Sequence, residues 1–417
     1  MASVFNIVTR IKNIKTISSF KVPAYRWYFL GMIGIWASFA MEQVARSYLV
    51  YDITGSTLLL GTITLAGTAP ILALALFGGA VADRFPKKML IQVSQAGFAL
   101  IFLGYALASH SGYLSEAHPE SWWVLLAGGL LMGTFVALTM PARGAIIPEI
   151  VNRDILMNAV ALNILGMSFF QMVVPVLAGN IIEAYGYPSI FYTMVALNVM
   201  AMVFNIFLPK MPPKATAHHN VIKDISEGFR YVIQHRAILL VLVFFIASVL
   251  LVNPLQMLLP VFAKDILNVG VSGQGTLLSL MGIGSIIVSF LLASFSPRKR
   301  GLILLISNIV MGISMVLFAF SENWPLSMVM MVVIGIGRIG ADACGNTLMQ
   351  AYTDPGILGR VNSIVMVSFG LGGLGSFLIG VVAETISAPW ALGGLSMLLI
   401  IASIVAIVFL PRLRNLD

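Results

Sequence analysis

An all-α membrane protein is the fold class this sequence predicts, with twelve transmembrane helices in two pseudo-symmetric six-helix bundles. Ten stretches of more than twenty residues contain no Asp, Glu, Lys or Arg: 53–82, 89–115, 121–142, 155–182, 184–209, 237–263, 266–297, 301–321, 361–383 and 385–411. A helix needs roughly 20 apolar residues to cross the hydrocarbon core. Two more stretches, 27–51 and 323–353, are each broken by one charged pair, Glu42 with Arg46 and Arg338 with Asp342. Basic residues supply a further sign. With the N-terminus assigned to the cytoplasm, 21 Lys and Arg fall in cytoplasmic segments, only Lys264 falls outside, and Arg46 and Arg338 are intramembrane. That is a strong positive-inside bias, and a missed or extra helix would scramble it. Both termini are therefore expected in the cytoplasm of a multi-pass protein of the plasma or inner membrane.

Each element follows in order. Residues 1–25 are a basic cytoplasmic segment without the apolar core and small-residue cleavage site of a signal peptide. Val4, Ile7, Val8, Ile11 and Ile14 recur at helical spacing, which suits an interfacial helix or a partly ordered tail. Six spans fill 26–209, the first bundle. Gly129 and Gly133 in span 4 have the spacing that lets helices approach closely. Pro175 in span 5 predicts a bend. Residues 210–236 form the longest cytoplasmic connection, with Pro212, Pro213 and the pair His218–His219, read as a solvated loop rather than a metal site. Val221 to Ile233 is expected as a surface helix. Six more spans fill 237–411, with Gly372, Ser376 and Gly380 as a second small-residue stripe, and 412–417 is a cytoplasmic tail. Trp27, Trp122, Trp123, Trp324 and Trp390 sit near span ends, as interfacial aromatics do.

Composition narrows the classes. A chain 59% hydrophobic and 10% charged fits a helical membrane protein. A β-barrel would alternate apolar and polar residues along short strands instead. The single cysteine, Cys344, excludes an internal disulfide and any multi-cysteine metal site. The net charge of +8 sits on the cytoplasmic side, where it faces anionic lipid rather than nucleic acid.

The two halves read as repeats. Phe85-Pro86-Lys87-Lys88 after span 2 is echoed 211 positions later by Ser296-Pro297-Arg298-Lys299 after span 8. Asn152-Arg153-Asp154-Ile155-Leu156 after span 4 is echoed 202 positions later by Asp354-Pro355-Gly356-Ile357-Leu358 after span 10. The longer outer loop around Ser111 to Ser121 accounts for the difference. Such repeats place a substrate site near the midplane, between halves that rock against each other.

The stretch Gly79-Ala80-Val81-Ala82-Asp83-Arg84-Phe85-Pro86-Lys87-Lys88 resembles the signature of the major facilitator superfamily, with Pro86 in place of its second glycine. Tyr51-Asp52-Ile53-Thr54-Gly55-Ser56, Pro141-Ala142-Arg143-Gly144-Ala145-Ile146-Ile147-Pro148-Glu149 and Gly359-Arg360-Val361-Asn362-Ser363 are similar to the branch containing macrolide-efflux and enterobactin-export transporters. The resemblance runs along nearly the whole chain. It implies the major facilitator fold, and implies that Asp83 meets the start of span 11. Gly79, Asp83, Arg84, Lys87 and Lys88, with Arg143 as a further partner, are thus candidates for a cytoplasmic gate. A carboxylate there can pair with basic residues and with a helix N-terminus. Contacts of that kind must break in the other conformation. The alternative is ordinary positive-inside loop charge. The second half departs from the pattern, with Ser294 or Phe295 where Asp83 has its counterpart. Val174-Pro175-Val176-Leu177-Ala178-Gly179 resembles the span-5 signature of drug–proton antiporters with two glycines replaced, and their central span-4 arginine is missing.

Glu42 and Arg46, and Arg338 and Asp342, are four apart and share a helix face. Glu42 lies about 24 Å into span 1, past the midplane. A charge at the membrane centre costs roughly 2.5–3.5 kcal/mol, so these side chains should face a wet cavity or each other. The resemblance implies that spans 1, 4, 7 and 10 line the central cavity. Glu42, Gln43, Arg46, Asn253, Gln256, Arg338, Asp342, Asn346 and Gln350 are the cavity and coupling candidates. Their carboxylates could take up protons, or the two pairs could only neutralise each other and hold helices in place. The arginines could also bind an anionic cargo.

The expected function is secondary active transport by alternating access. Export of an amphipathic small molecule of drug, macrolide or siderophore type, by proton antiport, leads. A lipid or lysophospholipid translocator of the same fold is the alternative, and a non-transporting sensor is a further rival. No phosphate-binding Gly-rich loop ending in Lys-Ser or Lys-Thr is present, so the proton gradient, not ATP, is the expected energy source. No cofactor, metal or enzymatic activity is expected, and a monomer is.

Overall fold

The computed structural model describes residues 15–209, 221–294, 299–354 and 357–417. The stretch Val4 to Ile14, Pro212, Pro213 and the pair His218–His219 lie outside the described residues. Gly79 and Asp83 fall within a helix, but their surroundings are outside that description too.

The first bundle is built from α1 (Pro23–Thr54), α2 (Thr57–Arg84), α3 (Lys87–His110), α4 (Trp122–Ile150) and the 54-residue helix Arg153–Ile206. The last of these is two spans, α5 (153–185) and α6 (187–206). Gly186 breaks it at φ 76° and ψ 173°, a conformation open in practice to glycine alone, and Pro188 follows. The second bundle comprises α7 (Arg236–Val261), α8 (Gly270–Ser294), α9 (Arg300–Ala319), α10 (Trp324–Tyr352), α11 (Leu358–Thr385) and α12 (Ala388–Phe409). Between the bundles lies the linker helix Val221–Gln234, at the place expected from sequence.

Nine helices among the described residues are long and apolar enough to cross a membrane, with a shorter apolar helix at Gly370–Thr385. Arg153–Ile206 holds two spans, and Gly370–Thr385 is part of α11. The remaining span, α1, is 32 residues long and carries Glu42, Gln43 and Arg46. Those side chains lower its mean hydropathy below that of its neighbours. The protein is thus a membrane protein of twelve helices.

Local chemistry sets the turns. α1 stops at Gly55, whose φ of 62° is left-handed and whose N–H bonds Tyr51 O. Ser56 then caps α2, its side chain accepting from Leu59 N. Asn323 caps α10 in the same way. The first described residues, from Lys15, and the last, to Asp417, lie on one face, the basic face. There Ser19 Oγ donates to Asn158 Oδ1 at 2.7 Å, and Gly301 N–H reaches Leu416 O at 3.0 Å. The linker helix packs on the second bundle at this face, where Glu227 pairs with Arg360 at 2.5 Å and Tyr231 OH donates to Asp354.

The bundles meet along two helix pairs. On α2 and α11, Gly61 lies against the backbone of Phe377, and Gly380 lies against Thr57 O. On α5 and α8, Gly179 faces Val271 and Ser272, Gly275 faces Pro175, and Gly282 faces Met172. Glycine at these crossings lets the backbones approach, which dispersion then rewards. Gly129 and Gly133 instead pack α4 on α2 within the first bundle, and Gly372 receives Asn253 of α7.

Candidate functional site

α1, α4 and α5 wall a cavity of about 740 Å³. It runs from Glu42 and Gln43, past the middle of α1, to Tyr28 and Ile147 near the basic face. Its apolar wall includes Met32, Trp36, Phe39, Met140 and Met167, and its polar groups include Thr139, Arg143, Asn163 and Gln171. The combination of large apolar surface with few convergent polar groups is what a small-molecule site requires.

Glu42 forms an ion pair with Arg46. Arg46 turns away from the cavity wall: its Nη1 donates to Ile63 O at 3.3 Å, and the guanidinium lies beside Gly67 of α2 and Gly129 of α4. A Cβ at Gly67 or Gly129 would come into van der Waals contact with Nη1, at 3.5 and 3.4 Å. Glu42 is thus the carboxylate at the cavity and Arg46 its anchor into the bundle. Arg143 also lines the cavity. Its Nη2 donates to Ser94 Oγ at 3.2 Å, its guanidinium sits 5.7 Å from the Phe98 ring centroid, and its Nε is buried without a hydrogen-bond partner.

The remaining predicted residues are elsewhere. Arg338 and Asp342 pair loosely at 3.8 Å on α10, and Asn346 Nδ2 donates to Asp342 O. Asn253 and Gln256 are half-buried on α7, and Gln350 is exposed near the end of α10. None of these six is in the described lining of the cavity. Lys87 pairs with Glu149, while Lys88 Nζ donates to Ile206 O and Leu208 O at the end of α6. Both lysines bond within the first bundle. Arg84 is exposed.

On the opposite face a cross-bundle network joins the halves. Lys264, just past α7, pairs with Asp52 of α1 at 2.5 Å and lies 3.7 Å from Glu116. Tyr51 OH donates to Asp265, and Tyr187 OH donates to Asp52 at 3.3 Å. Gln274 Nε2 on α8 donates to Ser47 Oγ on α1 at 2.8 Å. Glu384, at the end of α11, accepts from Thr57 N at 2.7 Å, Thr57 Oγ1 at 2.9 Å and Leu58 N at 3.2 Å. That carboxylate caps the N-terminus of α2, where backbone donors and helix dipole both favour negative charge.

Sequence reading gave this network no role. Its signals were present: Lys264 is the lone outer basic residue, Glu384 is the one charge between the last two apolar runs, and Tyr51-Asp52 belongs to a stretch carrying the family resemblance. What was lacking was the pairing, which joins residues from 135 to 327 positions apart.

The fold is thus twelve membrane-spanning helices in two bundles, with the described cavity lined by helices of the first. The chain belongs to the transmembrane secretion effector family, which it matches over residues 14–417, and so to the major facilitator superfamily. An enterobactin exporter, EntS, of Shigella boydii serotype 4 is 25% identical over 377 residues, covering 88% of each chain. EntS of Citrobacter koseri is 24% identical with the same coverage. Among solved structures, a variant of the nucleoside transporter NupG superposes with TM-score 0.73 at 15% identity, covering 92% of this chain and 99% of that one. A bacterial homologue of the human lysosomal transporter Spinster gives TM-score 0.62 at 14% identity, covering 93% and 95%. These two likenesses show the shared fold.

Proposed function

We propose that this protein is a secondary active transporter that exports an amphipathic small molecule across the inner membrane by alternating access, in exchange for protons. The observation that carries this reading is a cavity on the basic side beneath a cross-bundle network on the opposite face. Positive-inside bias assigns the basic face to the cytoplasm, so the conformation is inward-open. The opposite-face network is then a latch that breaks when the cavity turns outward. Relatives named as enterobactin exporters support export, and the apolar wall around Trp36, Phe39 and Met167 supports an amphipathic cargo. Glu42 is the proposed proton carrier, because it is the carboxylate bordering the cavity and Arg46 moderates its charge.

The test uses proteoliposomes loaded with a pH-sensitive dye under an imposed proton gradient, with a panel of hydrophobic cations, macrolides, siderophores and lysolipids. Compound-dependent proton flux in the wild type and its loss in Glu42→Gln are expected. Equal flux in Glu42→Gln would remove the coupling role, and compound movement indifferent to the gradient would remove antiport.

A further inference from the structure

We propose that the cavity contains an anion subsite centred on Arg143, so that the cargo is an organic anion with an apolar body. The inference rests on reading this cavity as the cargo site.

Two ionisable pairs would leave a cavity neutral, but this one is unbalanced. Glu42 is matched by Arg46, whose guanidinium is held by Ile63 O between α2 and α4. Arg143 brings a second positive charge to the same lining. Among the described residues it makes one hydrogen bond, to the neutral Ser94 hydroxyl, and no ion pair. It also lies over the face of Phe98, which balances no charge. A guanidinium presents five donors in a planar fork suited to carboxylate, sulfonate or phosphate, and burying it without an anion is costly.

A second, independent observation points the same way. Asn163 of α5 also lines the cavity, and its Oδ1 is buried with no hydrogen-bond partner. Two walls of one cavity, α4 and α5, thus each carry an unmet polar atom. An anionic group at Arg143 flanked by a hydroxyl or N–H toward Asn163 satisfies both. Tyr28, in the same lining, carries a hydroxyl that serves the anion as well, whereas Thr139 Oγ1 already donates to Phe135 O at 2.6 Å. Trp36, Phe39, Met140 and Met167 remain for the apolar body.

Trp36 is the tryptophan in this lining, so its quenching reports occupancy. The full chain in nanodiscs is titrated with anilinonaphthalene sulfonate and with its uncharged parent, N-phenylnaphthylamine. The signal is taken as the difference from Trp36→Phe, which removes binding to lipid. Charge-assisted hydrogen bonds predict that the wild type favours the sulfonate by about tenfold or more. Arg143→Gln should abolish that preference while binding of the uncharged parent stays unchanged, and Arg143→Lys should restore part of it. Equal affinity of the wild type for both probes would overturn the proposal, whether or not the variants fold. So would equal weakening of both probes in Arg143→Gln, the signature of a structural role. No gradient is involved: selective anion binding without transport would sink the export reading and leave the subsite standing, and export of cations alone would do the reverse.

Discussion

At the residue scale, the pair Glu42–Arg46 shows how a buried charge is tolerated in this fold. Arg46 is held from three sides, by Glu42, by Ile63 O and by the space at Gly67 and Gly129. Removing one member of a buried pair leaves the other uncompensated, at about 3–5 kcal/mol. Arg46→Met should therefore lower the melting temperature in detergent markedly, and adding Glu42→Gln should recover part of the loss. A single variant that melts like the wild type would refute the anchoring role. The pairing itself was legible from the four-residue spacing. The direction of Arg46 was not, because helical periodicity fixes a shared face and leaves open which neighbouring helix receives it. Arg143 illustrates the same limit: in sequence it stands among gate residues near the end of its span, whereas the packing of α4 on α1 and α5 puts it in the cavity wall.

At the element scale, a few residues decide where helices stop. Charge-free runs on either side of Glu183 announce two spans, yet the helix continues through Glu183 and breaks at Gly186. The difference has a simple cause: a charge marks the interface but does not interrupt backbone hydrogen bonding, whereas a φ of 76° does. Gly186→Ala forces a side chain into that conformation and should cost about 1–3 kcal/mol, read as a lower melting temperature with the α-helical circular dichroism retained. An unaltered melt would mean the break is set by Pro188 alone. Helix-end chemistry also explains Glu384. Its two oxygens have little to do in α11 itself, but α11 ends beside the start of α2, where donors need an acceptor.

At the scale of the whole molecule, span count, two-bundle division and charge asymmetry were all legible, because the bilayer imposes length and sign rules on every helix. Which face is closed was not legible, since closure is a property of pairings between bundles. The resemblance directs attention to Asp83, at the end of α2, and implies a partner at the start of α11. Here Glu384, at the end of α11, meets the start of α2 on the other face. We infer that the two carboxylates act in opposition, each stabilising the conformation closed on its own side.

Pulsed electron-spin distance measurements test that claim most directly, in a Cys344→Ala background and without any need to know the cargo. One label pair, Met157→Cys with Phe290→Cys, reports the basic face on exposed positions of α5 and α8; a second, Tyr185→Cys with Trp390→Cys, reports the opposite face. The account predicts that Glu384→Gln lengthens the opposite-face distance and shortens the basic-face one, while Asp83→Asn moves both in the other sense. Distances that stay single and unmoved in both variants would contradict alternating access governed by this pair of carboxylates.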